Sequence, residues 1–108
     1  MTTFDNREAA FENKFALDEE LRFKATARRN KLLGLWAAQQ MGRSGADAEA
    51  YAKSVVLADF QEAGDDDVLR KVRSDLERAG VGTITDTDIR TRMDALMAHA
   101  VQEIMAGR

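Results

Sequence analysis

The sequence has no cysteine and no proline, and only one histidine, one tryptophan and one tyrosine. Without cysteine there is no disulfide, no thiolate metal centre and no thiol nucleophile, so the chain folds without covalent help. A single histidine, His99, removes the usual zinc constellations and most acid–base relays. The sequence also has no GxxxxGK[ST] phosphate loop and no HExxH. Its acidic run GDDDVLRKVRSD lacks the ligand spacing of a calcium loop. These absences argue against an enzyme, and against a bound metal or other cofactor. No stretch approaches the roughly 20 apolar residues of a membrane span. The opening MTTFDNREAAFENK is charged where a signal peptide would be apolar, so the expectation is a cytoplasmic protein that is not membrane-inserted.

What is present fits one domain: 108 residues, 44% hydrophobic and 32% charged, with a formal charge of −3. Sixteen basic residues against nineteen acidic ones give none of the basic excess of a nucleic-acid binder. Residues 1–43 hold 8 basic and 6 acidic residues and residues 44–108 hold 8 and 13, so the two parts carry +2 and −5. The run Arg22, Lys24, Arg28, Arg29 and Lys31 follows Asp18, Glu19 and Glu20. That order predicts the i,i+4 pairs Asp18–Arg22 and Glu20–Lys24 on a solvated helix face.

With 18 alanines and no proline, nearly every window favours helix. Glycines punctuate it at Gly42 and Gly45, at Gly64, and at Gly80 and Gly82. Four helices are expected, near residues 5–40, 46–62, 66–79 and 86–106. Ser44 with Asp47 and Thr85 with Asp88 have capping-box spacing, and Ile84 with Ile89 has that of a hydrophobic staple. Asp65, Asp66 and Asp67 place negative charge at a helix start, where the macrodipole favours it. Apolar stripes run through Tyr51, Ala52, Val55, Val56 and Phe60, through Val68, Leu69, Val72, Leu76 and Ala79, and through Ile89, Met93, Leu96, Met97, Ala100 and Ile104. No window alternates like a strand. The expected fold is all-α, a small four-helix bundle over residues 21–108 preceded by a mobile amphipathic segment over residues 1–20.

That segment stands apart because the first helix carries two apolar stripes. At about 100° per residue, Phe4, Phe11 and Phe15 fall within about 20° of one line, while Leu21, Ala25, Leu32 and Trp36 cluster roughly 70° away. Burying three phenylalanines contributes at most roughly 6–9 kcal/mol. Fixing about twenty residues costs on the order of 20 kcal/mol of backbone entropy. The segment is therefore expected to be partly disordered in the free protein and to order when a groove accepts the stripe. Packing of the three rings back onto the bundle is the other reading the pattern allows.

Single residues read more quietly. His99 and Trp36 are expected to pack, as are Met93, Met97 and Met105, and Asp65–Asp67 to cap a helix rather than hold Mg²⁺. Arg28, Arg29, Arg70 and Arg73 are candidate contacts for the phosphates of an adenine nucleotide.

The stretch FDNREAAFENKFALDEELRFKATARRNKLLGLWAAQQMG, followed by AEAYAKSVV, ADF, GDDDVLRKVRSDL and the DxxIRxxMDxL pattern of Asp86–Leu96, resembles the zeta subunit of alphaproteobacterial F-type ATP synthases over essentially the whole chain. The resemblance implies a four-helix bundle that inhibits ATP hydrolysis. It also implies an N-terminal segment entering an interface between alpha and beta subunits near the gamma stalk, at the cytoplasmic face of the inner membrane. Carried onto this sequence, that role falls on Thr2 to about Asp18, with Phe4, Phe11 and Phe15 in the groove and Arg7, Glu8, Glu12 and Lys14 at its rim. The alternatives from other classes are a helical adenine-nucleotide sensor and a general adaptor.

Overall fold

A computed structural model describes residues 19–61 and 64–107. Within them the chain forms α1 (Glu19–Gln40), α2 (Gly45–Gln61), α3 (Asp65–Arg78) and α4 (Asp86–Ala106), with no strand. Order and boundaries match the sequence expectation, apart from the start of the first helix near residue 5, which lies outside the described residues. The expected segment of residues 1–20 lies almost wholly outside the described residues.

The helix ends follow from local chemistry. At the close of α1 the Arg43 N–H donates to Ala38 O and the Gly42 N–H to Gln39 O. At the close of α3 the Val81 N–H donates to Leu76 O and the Gly80 N–H to Glu77 O. Both are Schellman motifs, and Gly42 and Gly80 take the left-handed φ of 78° and 85° that the motif requires. The capping box of α4 forms: Thr85 Oγ1 accepts from Asp88 N at 3.1 Å and Asp88 Oδ2 from Thr85 N at 3.0 Å. These hydrogen bonds, first the backbone one and then the hydroxyl, hold the Asp88 carboxyl below the usual carboxylate range. The matching pair Ser44 and Asp47 does not form; there the Ser44 carbonyl accepts the Ala48 N–H at 3.4 Å.

The core joins Leu33, Ala37 and Ala38 of α1, Tyr51 and Val55 of α2, Val68, Val72 and Leu76 of α3, and Ile89 and Met93 of α4. The buried face of α1 is the row Leu21, Ala25, Arg29, Leu33 and Ala37. Leu32 and Trp36 are half-buried margins instead. The shift has a physical cause: α1 packs against all three other helices, so its buried surface wraps round it instead of holding to one stripe. Ala79 and Phe60, the far ends of two expected stripes, are exposed. His99 is exposed too, its Nε2 2.5 Å from Glu103 Oε1; an expected packing residue is a surface one.

Gly34 sits inside α1 rather than at a helix end, and it sets the α1–α2 spacing. A Cβ there would lie 2.5 Å from Ala52 Cα, so the two backbones approach closely only because the side chain is missing.

Candidate functional site

Phe4, Arg7, Glu8, Phe11, Glu12, Lys14 and Phe15, the residues expected to bind a partner, lie outside the described residues. What the structure describes is the surface from which their segment departs. Glu19 and Arg22 open α1 beside Phe23, and Phe23 stacks on Phe60 of α2 with ring centroids 5.3 Å apart and planes tilted by 39°. Both rings are more than half exposed, and Leu57, nearby in sequence, is 50% exposed. A hollow of about 230 Å³ between α1 and α2 is lined mainly by the apolar groups of Phe23, Ala27, Val56 and Phe60, with Asn30 and Asp59 also at its surface.

Beneath it runs a polar network absent from the sequence reading. Arg29, 2% exposed, donates from Nη1 to Asp65 Oδ1 at 2.9 Å and from Nε and Nη2 to Asn30 Oδ1 at 3.1 and 2.8 Å. Asn30 Nδ2 in turn donates to Asp59 Oδ2 at 3.1 Å. The network ties α1 to the end of α2 and the start of α3. No buried side-chain nitrogen or oxygen among the described residues lacks a partner, so the buried guanidinium is satisfied. The signal for it lay in the i−4 and i+4 neighbours of Arg29, Ala25 and Leu33, which place it in the middle of the buried row.

The four arginines read as nucleotide contacts do not converge on one ligand. Arg28 pairs with Glu103 at 3.0 Å, Arg29 with Asp65, Arg70 with Asp67, and Arg73 with Glu77 at 2.9 Å while also donating to Ile84 O. The acidic triplet divides in the same way. Asp65 takes Arg29, Asp66 takes Arg90 at 2.5 Å and Asp67 takes Arg70. No cluster of three or more acidic or histidine side chains is placed to hold a metal among the described residues.

A second hollow, of about 310 Å³, is lined by Arg43, Tyr51, Lys71, Asp75 and Arg78. Asp75 accepts from Tyr51 Oη at 2.9 Å, Lys71 Nζ at 3.0 Å and Arg78 Nη2 at 3.1 Å. Burial, then the hydrogen bond to Asp75, push the Tyr51 phenol well above its ordinary value, so it stays the donor.

A family model described as ATPase inhibitor subunit zeta matches residues 1–103. The chain belongs to that family. The match takes in both the bundle and the segment before it, and the family makes the chain an inhibitor acting on the ATP synthase. Four solved chains match as well. One, determined by solution NMR, is 48% identical and superposes with a TM-score of 0.71, covering 82% of this chain and 99% of its own length. No curated protein matches. Among the described residues no helix is long and apolar enough to cross a membrane.

Proposed function

We propose that the bundle is a rigid handle and that residues 2–18 are the inhibitory element. Phe4, Phe11 and Phe15 enter an interface between alpha and beta subunits near the gamma stalk, with Arg7, Glu8, Glu12 and Lys14 at its rim. The carrying observation is that the core of the four helices closes among its own aliphatic residues, Tyr51 and Met93. No phenylalanine of the described residues is buried in it, which supports a role for the stripe outside that core. The family match, which begins at residue 1, supports the same reading.

The mechanism is steric and state-selective. A bound segment stops rotation only if it binds one rotational state better than the others. Synthesis-driven rotation would open the interface and release it. Deleting residues 1–18 and assaying hydrolysis by the purified ATPase tests the role: inhibition should vanish, and undiminished inhibition by the bundle alone overturns it. The adenine-nucleotide reading draws no support from Arg28, Arg29, Arg70 and Arg73, since each guanidinium is held by an acid of its own chain. An adaptor role is what a negative ATPase assay would leave.

A further inference from the structure

The hollow between α1 and α2 is the middle of a longer groove. Glu19 and Arg22 border a hollow that extends it at one end, sharing Phe23 and Thr26 with it. At the other, Lys31, Glu49 and Lys53 border one of about 240 Å³ that shares Val56. The groove follows α1 from residue 19 to residue 31, about 18 Å at helical rise. Its floor is apolar around Phe23, Val56 and Phe60. Neither Lys31 nor Lys53 is paired with an acid among the described residues.

We propose that this groove is the docking site of the chain's own residues 1–18, folded back antiparallel to α1, with Phe15 and Phe11 in the apolar floor and Glu8 between Lys31 and Lys53. The occupant follows first from where the chain leads: residue 18 joins Glu19, which itself borders the groove mouth. The four links from Phe15 to Glu19 span at most about 14 Å, enough to turn back beside α1. It follows second from register. Phe23 and Phe60 face each other and Gly34 lies against Ala52, so α1 and α2 run antiparallel, and residues equally far from the aromatic pair lie level to within about one helical turn. With Phe15 level with that aromatic pair, a returning helix brings Lys14 level with Asp59, Phe11 with Val56 and Ala27, and Glu8 with Lys53. One alignment thus satisfies both the apolar stripe and two charge pairs.

The docked state competes with the synthase for the same phenylalanines. Its contact is made on rings that stand at the surface, Phe23 and Phe60 being more than half exposed. The bundle therefore stores the segment and yields it to a deeper groove. This regulatory consequence rests on the inhibitory role proposed above; the docking itself does not.

The absence of cysteine makes the test clean. A nitroxide on Thr3→Cys of the full chain should broaden the amide signals of Lys31 and of residues 49–53, independently of protein concentration. Lys53→Glu should weaken that broadening several-fold and the pair Glu8→Lys with Lys53→Glu should restore it. Phe60→Ala should raise tryptic cleavage at Arg7 and Lys14 several-fold. The proposal is overturned if these amides are not broadened, if broadening falls on α3 or α4, or if the charge swap fails to restore it. It is equally overturned if broadening appears only between a labelled molecule and an isotope-labelled neighbour, which makes a second copy the occupant. A chain that loses inhibition on deletion of residues 1–18 yet shows no broadening loses the docking alone. Broadening together with inhibition that survives the deletion removes the inhibitory role alone.

Discussion

The bundle and the segment that precedes it use aromatic residues in opposite ways. Of the five phenylalanines, three lie in residues 1–18. The two on the described helices, Phe23 and Phe60, are 56% and 57% exposed and stack on each other at the surface. The bundle core is built instead from leucine, valine, isoleucine, alanine and Met93, with Tyr51 at its margin. Small and branched side chains let short helices approach closely, as Gly34 shows against Ala52. Large rings carry more transfer free energy per residue, and on the function proposed above three of them stand where a contact is made and released.

The first way to break that comparison is to cut both regions by similar volume. Leu33 is fully buried, and Leu33→Ala should cost about 2–5 kcal/mol, seen as a large fall in melting temperature. Phe11→Ala with Phe15→Ala should shift stability by less than about 0.5 kcal/mol while weakening inhibition of the ATPase. A comparable fall in melting temperature from the double variant would place those rings in the bundle core and dissolve the contrast.

A smaller effect sharpens what holds the bundle rigid. Asp65→Asn removes the carboxylate that pairs with the buried Arg29 guanidinium among the described residues and should cost about 1.5–3 kcal/mol, the usual worth of a hydrogen bond to a charged group. Gly34→Ala gains up to about 1 kcal/mol of helix propensity, yet forces α1 and α2 apart. Overpacking of this kind costs about 1–3 kcal/mol, so the net change should be destabilising. A stabilised Gly34→Ala chain would show that the helices can separate freely and that the handle is not rigid.

Much of this architecture was legible in advance. The lack of proline, the glycine punctuation at Gly42 and Gly80 and the Thr85–Asp88 spacing act within a few residues, and each marks a helix end that the structure keeps. The buried face of α1 was less legible. A wheel assumes one stripe, whereas the row Leu21, Ala25, Arg29, Leu33 and Ala37 advances by about 40° at each step. It starts about 100° from the phenylalanine line at Leu21 and lies within about 20° of it at Leu33. By Ala37 it lies about 60° on the other side of that line, so no single offset describes the whole helix. The partners of Arg29 and Arg90 were not legible, because Asp65 and Asp66 lie 36 and 24 residues away and are chosen by packing, whereas Asp67 takes Arg70 at i,i+3 spacing.

Capping tests the next tier. Thr85→Ala removes one half of the capping box and should cost about 1 kcal/mol. Its pH dependence has a definite sign. The Asp88 carboxyl is held below its ordinary value in the folded chain, so its contribution is complete above the ordinary carboxylate range and is lost as pH falls through the lowered value. Acid unfolding of the wild-type chain should therefore gain a component that Thr85→Ala lacks. Identical acid limbs for the two chains would remove the capping box from the account.

The smallest expected change lies at His99. Its side chain is 59% exposed and its contact is Glu103, whose other oxygen already accepts from Arg28 Nε at 3.0 Å. Removing the imidazole leaves Glu103 still joined to α1, and exposed contacts of this kind are worth about 0–1 kcal/mol. His99→Ala should thus move stability by less than about 0.5 kcal/mol. Glu103→Gln breaks the charged link between α1 and α4 and should cost more. If His99→Ala proves the more damaging of the two, α4 depends on the histidine for its place on the bundle, and the single histidine of the sequence regains a structural role that its exposure denies.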